Sequence, residues 1–378
     1  MRLAMIVFVK EGGMFYPYSH SLLCKLVSRD VEATMWGNIG FRIPHGLETP
    51  YELRLVFNRR RHFIPHLWKV YREIVNYRPQ VVHFQYHTSP LAEIVFARLV
   101  RRKGIKTVMT AHDVLPHHLK PYDRMLFRAL YNSLDAVIVH ADQNRRTATD
   151  FLGISEDKVH VVPHGDYMHF DVSNAPTRAE ALERLGYSPN AKLILFFGAV
   201  RPDKGLDRLI KALPEIRRAI PEAKLVTAGP VKGSIDDAKN LYGSLAESLG
   251  VQDAVDLRLG YLPYEEVPTY FAASTVVVLP YLESTQSGVV QVAAATKRAV
   301  VASAVGGIPE VIDDGVTGKL VEPDNLGQLA EATIAYLSDP ASADLAGEKA
   351  HEKARREYSW DVIAEKTISV YRKLLESK

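Results

Sequence analysis

Two short turns in the second half of the chain carry residue types that could bind an anionic ligand. The first turn, 198–205, places Arg201 and Lys204 between an apolar strand and a predicted helix. Two cations three residues apart can contact a pyrophosphate from two sides. Cations near a helix N-terminus are disfavoured by the macrodipole unless an anion is present. The turn therefore favours phosphate binding over the alternative, a solvated loop with a chance Arg and Lys.

The second turn, 283–291, follows another apolar strand and opens a further predicted helix. The backbone amides of residues 287–289 would point at an anion from the helix N-terminus, and Gly288 would let the backbone approach it closely. Glu283 precedes the turn, where its carboxylate could accept hydrogen bonds from hydroxyl groups. The alternative is an ordinary loop acid beside a glycine that eases the turn. A third turn, 306–310, again joins a strand to a short helix.

Short apolar strands that alternate with amphipathic helices must position these turns. Such strands, apolar throughout rather than at alternate positions, are typical of parallel sheets covered by helices on both faces. The predicted strands are 3–9, 80–84, 106–110, 136–140 and 159–162 in the first half, and 193–197, 224–228, 254–257, 276–279 and 299–302 in the second. The fold class is therefore α/β, with two doubly wound Rossmann-like domains. Ligands of such domains bind where strands end, which predicts a deep cleft between the two domains.

The chain length of 378 residues also favours two domains. A polar stretch after residue 165 suggests the boundary. We predict an N-terminal domain over 1–170, a linker over 171–190, a C-terminal domain over 191–358, and a final helix, 359–378, that packs back on the first domain.

Charge and histidine are distributed unequally between the two halves. Residues 1–189 contain 25 Lys and Arg against 18 Asp and Glu, a net charge of +7, and the remainder contains 22 against 26, a net charge of −4. Thirteen of the 14 histidines lie in the first half. This positive charge suits an anionic ligand or an acidic membrane surface, but it is too mild to argue for nucleic acid, which we do not expect as a partner. No segment has the roughly 18 consecutive apolar residues of a membrane span, which predicts a cytoplasmic protein.

Two clusters in the first half admit more than one interpretation. His112, His117 and His118 could suggest a metal site, but their spacing fits no zinc pattern, so we predict no metal. The run Arg59–Arg61 precedes the predicted helix that carries Trp68 and Tyr71, and it would suit an anionic acceptor or acidic lipid headgroups with aromatic anchoring. A solvated loop is the alternative, and peripheral association with the inner face of a membrane remains open.

Two long motifs identify a resemblance that covers essentially the full chain. The segments FFGAVRPDKGLDRLIKAL (196–213) and ESTQSGVVQVAAATKRAVVASAVGGIPEVIDDGVTGKLVEPDN (283–325) resemble the nucleotide-sugar half of GT-B glycosyltransferases, specifically the retaining family 4. Gly12-Gly13, Thr110–Asp113 and Val162–Gly165 occur in the expected order before them.

The resemblance implies a role for individual residues. Arg201 and Lys204 would hold the donor diphosphate, and the strand end around Tyr261 would lie beside the base. The residues implied in catalysis are Glu283, His112, Arg201 and Lys204. The residues implied in donor binding are Gly12, Gly13, Arg201, Lys204, Tyr261, Glu283, Ser287, Gly288, Val289 and Gln291.

The chain departs from the family pattern at two positions. The second acid of the family's E-x7-E motif contacts the ribose, and Gln291 stands there. A Gln carbonyl can accept a hydroxyl hydrogen bond, but without charge assistance. His164 stands where Asn is commoner in a Pro-Asn-Gly motif.

The resemblance implies a retaining glycosyltransferase that moves a sugar from a UDP- or GDP-linked donor to a hydroxyl of a glycan or lipid-linked glycan. The nucleotide sugar would be a substrate, and no cofactor is expected. Two rivals remain: a GT-B epimerase that acts on the nucleotide sugar itself, and a degenerate binding module, which Gln291 motivates.

Overall fold

A computed structural model describes residues 1–7, 15–38, 49–57, 63–85, 89–116, 119–168 and 175–376. The chain forms two compact units. The first comprises residues 1–165 and 358–378, and the second comprises residues 166–357.

The first unit is built on a parallel sheet, which has seven strands within the described residues. The strands are β1 (Arg2–Ile6), β2 (Glu32–Asn38), β3 (Glu52–Phe57), β4 (Val81–Phe84), β5 (Lys106–Thr110), β6 (Ala136–Val139) and β7 (Val159–Val161). Their order across the sheet is β3-β2-β1-β4-β5-β6-β7. The α-helices of this unit are α1 (Phe15–Val27), α2 (Phe63–Tyr77), α3 (Pro90–Arg101), α4 (Asp123–Asn132), α5 (Asp142–Arg146) and α14 (Trp360–Glu376).

The second unit repeats this architecture with a parallel sheet of order β10-β9-β8-β11-β12-β13. Its strands are β8 (Lys192–Phe197), β9 (Ala223–Gly229), β10 (Val255–Leu259), β11 (Val276–Leu279), β12 (Ala299–Ser303) and β13 (Lys319–Val321). Its α-helices are α6 (Arg178–Leu185), α7 (Leu206–Ala219), α8 (Ile235–Ser248), α9 (Val267–Ala273), α10 (Gly288–Ala295), α11 (Ile308–Val311), α12 (Leu326–Ser338) and α13 (Pro340–Glu357).

Both faces of each sheet are buried, which explains why the central strands are apolar throughout. In β1, Ala4 and Ile6 belong to one core cluster, whereas Leu3 and Met5 belong to another. Because successive side chains of a strand point to opposite faces, helices must cover the sheet on both sides. The predicted α/β class with two Rossmann-like domains is therefore confirmed.

Three strands were not predicted. The strands β2, β3 and β13 contain Glu, Lys, Asn or Arg and lack a long apolar run. The strands β3 and β13 are edge strands. An edge strand is less completely covered, so its sequence resembles that of an exposed loop.

Part of the predicted linker, 171–190, is instead the helix α6. Thr177 and Glu180 form a reciprocal capping box at its start, and Ala181 and Leu182 are buried in a core cluster of the second unit. Since the capping box satisfies the first backbone amides and two apolar side chains are buried, this polar segment folds as a helix.

The final helix, α14, belongs to the first unit and packs on α1. Its buried Tyr371 hydroxyl contacts His83 Nδ1 at 2.6 Å. On its exposed side, Asp361 pairs with Lys25 at 2.8 Å and with Arg29 at 2.7 Å. These contacts anchor the end of the chain to the domain where the chain began.

Candidate active site

The turns after β8 and β11 lie side by side because these two strands are neighbours at the centre of the second sheet. The chain runs from β8 outward to β9 and β10 on one side, and then returns to β11 on the other. This is a topological switch point, where the loops diverge and leave a crevice for ligands at the strand carboxyl ends. The first turn (198–205) and the second turn (283–291) both border this crevice.

Direct contacts join the first two turns. The Cγ2 atom of Val289 lies 3.4 Å from the position that a Cβ atom would take on Gly198. The backbone N–H of Leu282 donates to the carbonyl of Asp203 at 2.9 Å. The basic turn and the N-terminus of α10 are therefore parts of one surface.

Arg201 is oriented by an acid in its own turn. Its Nε donates to Oδ1 of Asp203 at 3.0 Å, and its Nη2 donates to Oδ2 at 2.7 Å. Burial alone would raise the pKa of Asp203, but Arg201 and Lys204 outweigh it and lower that pKa. With both cations and this one carboxylate charged, the turn keeps a net charge of +1.

Lys204 packs against an aromatic ring. Its Nζ lies 3.9 Å from the ring centroid of Tyr281, and about 15% of its side chain is exposed. Such a cation–π contact holds the ammonium group in a partly dry site, where its charge is less screened. Burial raises the pKa of Tyr281 to about 12, so this phenol stays neutral beside the cation.

Gly205 allows the basic turn to approach the strand β11. Residues 202–204 form a single 3-10 turn, and Gly205 follows it with φ of 66° in the left-handed region. A Cβ atom at this position would collide with the carbonyl oxygen of Pro280. Glycine is therefore required both for the backbone conformation and for the space.

The second turn opens α10 without an acidic residue in the first helical turn. The side chain of Ser287 makes no capping hydrogen bond to the helix. The first backbone N–H groups of a helix have no acceptor within the helix itself, which makes them available to an anion. Gly288 faces Tyr167, whose hydroxyl lies 3.0 Å from the position of a Cβ atom on this glycine.

The third turn supports the second. The backbone N–H of Gly307 donates to the carbonyl of Thr285 at 3.0 Å, and a Cβ atom on Gly306 would collide with the carbonyl of Ser284. Gly306 and Gly307 thus allow the third turn to pack closely against the backbone of the loop that precedes α10.

The two residues of the E-x7-E motif differ in their surroundings. Glu283 is exposed in the loop, whereas Gln291 is 4% exposed on the first turn of α10. The Oε1 atom of Gln291 has no hydrogen-bond partner among the described residues. A buried hydrogen-bond acceptor without a partner is unusual and destabilises the folded protein. A hydroxyl or N–H group of a bound ligand could donate to this atom.

Tyr261 lies apart from these turns. It follows β10, an edge strand two positions from β8 in the sheet, and 86% of its surface is exposed. The structure therefore brings Arg201, Lys204, Gly288 and Val289 together, and it places Tyr261 at the far end of the same sheet edge.

In the first unit, His112 follows β5 and is buried in a cluster of rings. Its Nδ1 lies 3.0 Å from Nε2 of His140, and its ring centroid lies 4.7 Å from that of Tyr18. His164 packs edge-on to Tyr18, at 5.0 Å, and to Trp360, at 6.4 Å. Gly165 lies directly under the Trp360 ring, where a side chain would not fit.

Sequence reasoning missed four residues of these sites: Asp203, Tyr281, His140 and Tyr18. His140 and Tyr281 lie at or just after the end of a predicted strand, and Asp203 lies within the predicted basic turn, so position relative to a strand end is the signal that could have found these three. Tyr18 lies on α1, where no such signal marks it. Several predicted residues lie outside the described residues: Gly12, Gly13, Arg59–Arg61, His117 and His118.

Within the part of the chain that the structure describes, no group of three or more His, Cys, Asp or Glu is arranged to hold a metal ion. No described helix is both long enough and apolar enough to cross a membrane.

Two Rossmann-like units, one with basic and glycine-containing turns at its switch point, define the GT-B class of glycosyltransferase folds. A glycosyltransferase from Rickettsia africae superposes with a TM-score of 0.82 at 17% identity, covering 100% of this chain and 99% of that one. The Anabaena protein HepE, solved in complex with UDP, gives a TM-score of 0.80 at 19% identity and covers 99% and 100%.

Sequence comparisons then identify the family. A model of Glycosyltransferase Family 4 matches residues 18–165, and one of Glycosyl transferases group 1 matches residues 191–339. The α-maltose-1-phosphate synthase of Mycobacterium tuberculosis H37Rv is 30% identical over 289 residues, which are 71% of this chain and 73% of the relative. The D-inositol 3-phosphate glycosyltransferase of Kineococcus radiotolerans is 33% identical, over 65% and 58%. The chain belongs to glycosyltransferase family 4, as the sequence motifs predicted.

Proposed function

We propose that this glycosyltransferase takes a UDP- or GDP-linked sugar as donor and transfers the sugar, with retention, to a hydroxyl group of a glycan or lipid-linked glycan. The observation that carries the proposal is the contact between the basic turn and the start of α10, through Gly198 and Val289. Two sources of positive potential thereby border one crevice at the switch point. The structural neighbour HepE was also solved with UDP-glucose, which supports a nucleotide-sugar donor.

The proposed catalytic role of the second unit is electrostatic. Negative charge builds on the diphosphate as its bond to the sugar breaks, and Arg201, Lys204 and the amides of Gly288 and Val289 would stabilise that charge. These groups are held in place before the donor binds, so little reorganisation accompanies the reaction. In the retaining mechanism that we propose, the acceptor attacks on the face from which the diphosphate departs, and the departing phosphate takes up the hydroxyl proton.

We assign substrate contacts on the sugar side to Glu283 and His112, and base contacts to Tyr261. Glu283 is exposed and can accept hydrogen bonds from sugar hydroxyls. Gln291 would offer its Oε1 to a ribose hydroxyl, which fits the absence of another donor to that atom among the described residues. Gly12 and Gly13 keep the donor-binding role that the resemblance implies.

A thermal-shift screen tests donor binding directly. UDP, GDP and their sugars are compared on the wild type, Lys204→Met and Lys211→Met. Lys204→Met keeps the packing against Tyr281 and removes the charge, whereas Lys211 is exposed on α7 and pairs with Asp207, so its variant is the matched control. A nucleotide at 100 times its Kd stabilises by about 2.7 kcal/mol. We expect one nucleotide to stabilise the wild type and Lys211→Met but not Lys204→Met; equal shifts in all three would contradict the assignment.

The rivals are separated by the reaction products. Incubation of the donor without an acceptor should give no epimer, and its appearance would favour a GT-B epimerase. With an acceptor, turnover is expected, and binding without turnover on any acceptor would favour a degenerate module. The acceptor panel includes sugar phosphates and inositol phosphate, because the names of the relatives contain them.

A second proposal concerns the acceptor side: the first unit binds anionic membrane surfaces. On α3, Leu91 and Val95 are exposed on the same face as Arg98, and Arg102 follows directly after the helix. The neighbouring α4 exposes Met125, at 73%. A stripe of apolar residues followed by cations is typical of helices that lie in the headgroup region.

Vesicle sedimentation tests this second proposal. We expect binding to vesicles that contain phosphatidylglycerol at low salt and little binding to pure phosphatidylcholine. The double variant Leu91→Ser, Val95→Ser should lose binding. Leu241→Ser is the control, because Leu241 is equally exposed, at 64%, on α8 of the second unit. Equal binding by both variants would contradict the assignment.

A further inference from the structure

A histidine pair joins the carboxyl ends of two neighbouring strands in the first unit. His112 follows β5, His140 follows β6, and these strands pair in parallel. The Nδ1 of His112 and the Nε2 of His140 are 3.0 Å apart, and the Nδ1 of His140 lies 2.9 Å from the carbonyl oxygen of Val162. We propose that His140 is a positioning residue that holds His112 in the tautomer with its proton on Nδ1 and its lone pair on Nε2.

The carbonyl oxygen of Val162 determines the direction of both hydrogen bonds, from His112 to His140 and from His140 to Val162. A carbonyl oxygen only accepts, so Nδ1 of His140 must carry the proton that it donates to Val162. In a neutral imidazole the other nitrogen is then an acceptor. The Nε2 of His140 therefore accepts, and Nδ1 of His112 donates to it.

The surroundings keep His140 neutral. It is 4% exposed, and burial lowers its pKa to about 3, with the nearby His164 acting in the same direction and the bond to Val162 opposing them. Two rings pack against His140, namely Tyr18, at 5.4 Å between centroids, and His164, at 5.2 Å, and Trp360 packs in turn on Tyr18, at 5.1 Å. Burial also raises the pKa of Tyr18 and lowers that of His164, so both rings are neutral at pH 7.

The consequence for the reaction rests on the proposed function, in which His112 contacts the sugar or the acceptor. A lone pair on Nε2 can accept a hydrogen bond from a substrate hydroxyl, whereas a protonated Nε2 could only donate one. A histidine in water exchanges between its two neutral tautomers. Without His140, a fraction of the protein would therefore carry the proton on Nε2 of His112 and could not accept this hydrogen bond. His140 thus decides which chemistry His112 offers, although it does not itself touch the substrate.

Imidazole 15N NMR on the full-length, histidine-labelled protein reads the tautomer without any ligand. The His112 signals are assigned by their loss in His112→Asn. We expect the wild type to show protonated Nδ1 and unprotonated Nε2. His140→Leu should shift His112 toward the opposite tautomer. His140→Gln should restore the wild-type pattern, because its amide oxygen can accept near the former position of Nε2.

Kinetics on the same variants adds a second measurement. We expect kcat to fall at least about 10-fold in His140→Leu and to recover largely in His140→Gln. His160→Leu, which replaces a half-buried histidine on β7, is the control for a general loss of packing, and melting temperatures are compared across all three.

The outcomes separate this inference from the proposed function. An unchanged His112 tautomer in a folded His140→Leu would overturn the inference, whatever the activity. A changed tautomer with wild-type kcat and KM would support the hydrogen-bond assignment and overturn the placement of His112 at the substrate. Equal loss of kcat in the Leu and Gln variants would also overturn the inference, because only packing would then matter.

Discussion

Arg201 donates two hydrogen bonds to the carboxylate of Asp203, from Nε at 3.0 Å and from Nη2 at 2.7 Å. The same aspartate accepts the backbone N–H of Leu282 through its carbonyl oxygen. Asp203 therefore orients the guanidinium group and also attaches the basic turn to the loop after β11. Its negative charge also repels any anion that binds at this turn. Asp203 therefore orients Arg201 but weakens the electrostatic attraction of the turn for an anionic ligand.

The variant Asp203→Asn separates these two effects. The amide keeps the size of the side chain but removes the charge, so UDP or GDP should bind about threefold more tightly at 50 mM salt. The gain should disappear at 500 mM salt, because counterions screen exposed charges. Turnover should fall, since the bidentate bond that orients Arg201 is weakened. Titration calorimetry and initial rates measure the two quantities, with Arg201→Ala as the reference for lost binding; weaker nucleotide binding at low salt would contradict the prediction.

Gly205 and Gly250 form a matched pair for measuring the close approach of the basic turn to β11. Their φ angles are 66° and 67°, but a Cβ atom would collide with Pro280 at position 205 and would meet open space at position 250. Gly250→Ala should cost about 1–2 kcal/mol of unfolding free energy, from backbone strain alone. Gly205→Ala should cost at least about 1 kcal/mol more, because the backbone of Pro280 must also move. Urea denaturation measures both, and equal losses would show that the turn has room for a side chain.

Replacements of Gln291 should change stability and nucleotide binding in opposite directions. Gln291→Met has a similar shape and removes the unpartnered acceptor, so the free protein should gain about 1 kcal/mol of stability. Its nucleotide-induced thermal shift should shrink. Gln291→Glu should destabilise the free protein, because a buried carboxylate is costly, and should enlarge the shift. Equal nucleotide-induced thermal shifts in the wild type, Gln291→Met and Gln291→Glu would contradict the assignment of Gln291 to the donor site.

Two buried histidines predict a loss of stability in mild acid. Burial lowers the pKa of His83 and of His140 from 6.5 to about 3. Between these values the unfolded chain binds protons that the folded protein does not, so acid favours unfolding. Each histidine should reduce the unfolding free energy by about 2 kcal/mol from pH 7 to pH 5.

Urea denaturation at a series of pH values measures this slope. His140→Gln, which has no titrating group, should show a shallower dependence than the wild type, by the contribution of one histidine. His160→Gln is the control for a less buried ring. An identical slope in His140→Gln would show that His140 takes up its proton in the folded state over the same pH range as in the unfolded chain, which would contradict the lowered pKa.

The sequence predicted the parts of the second unit that depend on local pattern. The helix 206–219 was predicted with the bounds that the structure shows, and the turn before it was placed between a strand and that helix. Edge strands such as β3 and the helix α6 were missed, because weak apolar patterning and a polar composition resemble those of a loop.

The sequence by itself determined the fold class, the family and the turns that contain Arg201, Lys204 and Gly288, because strand–helix alternation and turn residues are local properties. Only the tertiary structure decided which of these groups meet. The order of strands in each sheet brings Gly198 to Val289 and His112 to His140, and it buries Gln291 while leaving Glu283 exposed. Contacts between distant residues depend on which strands become neighbours, and that order is set by the packing of whole helices and sheets rather than by any short segment.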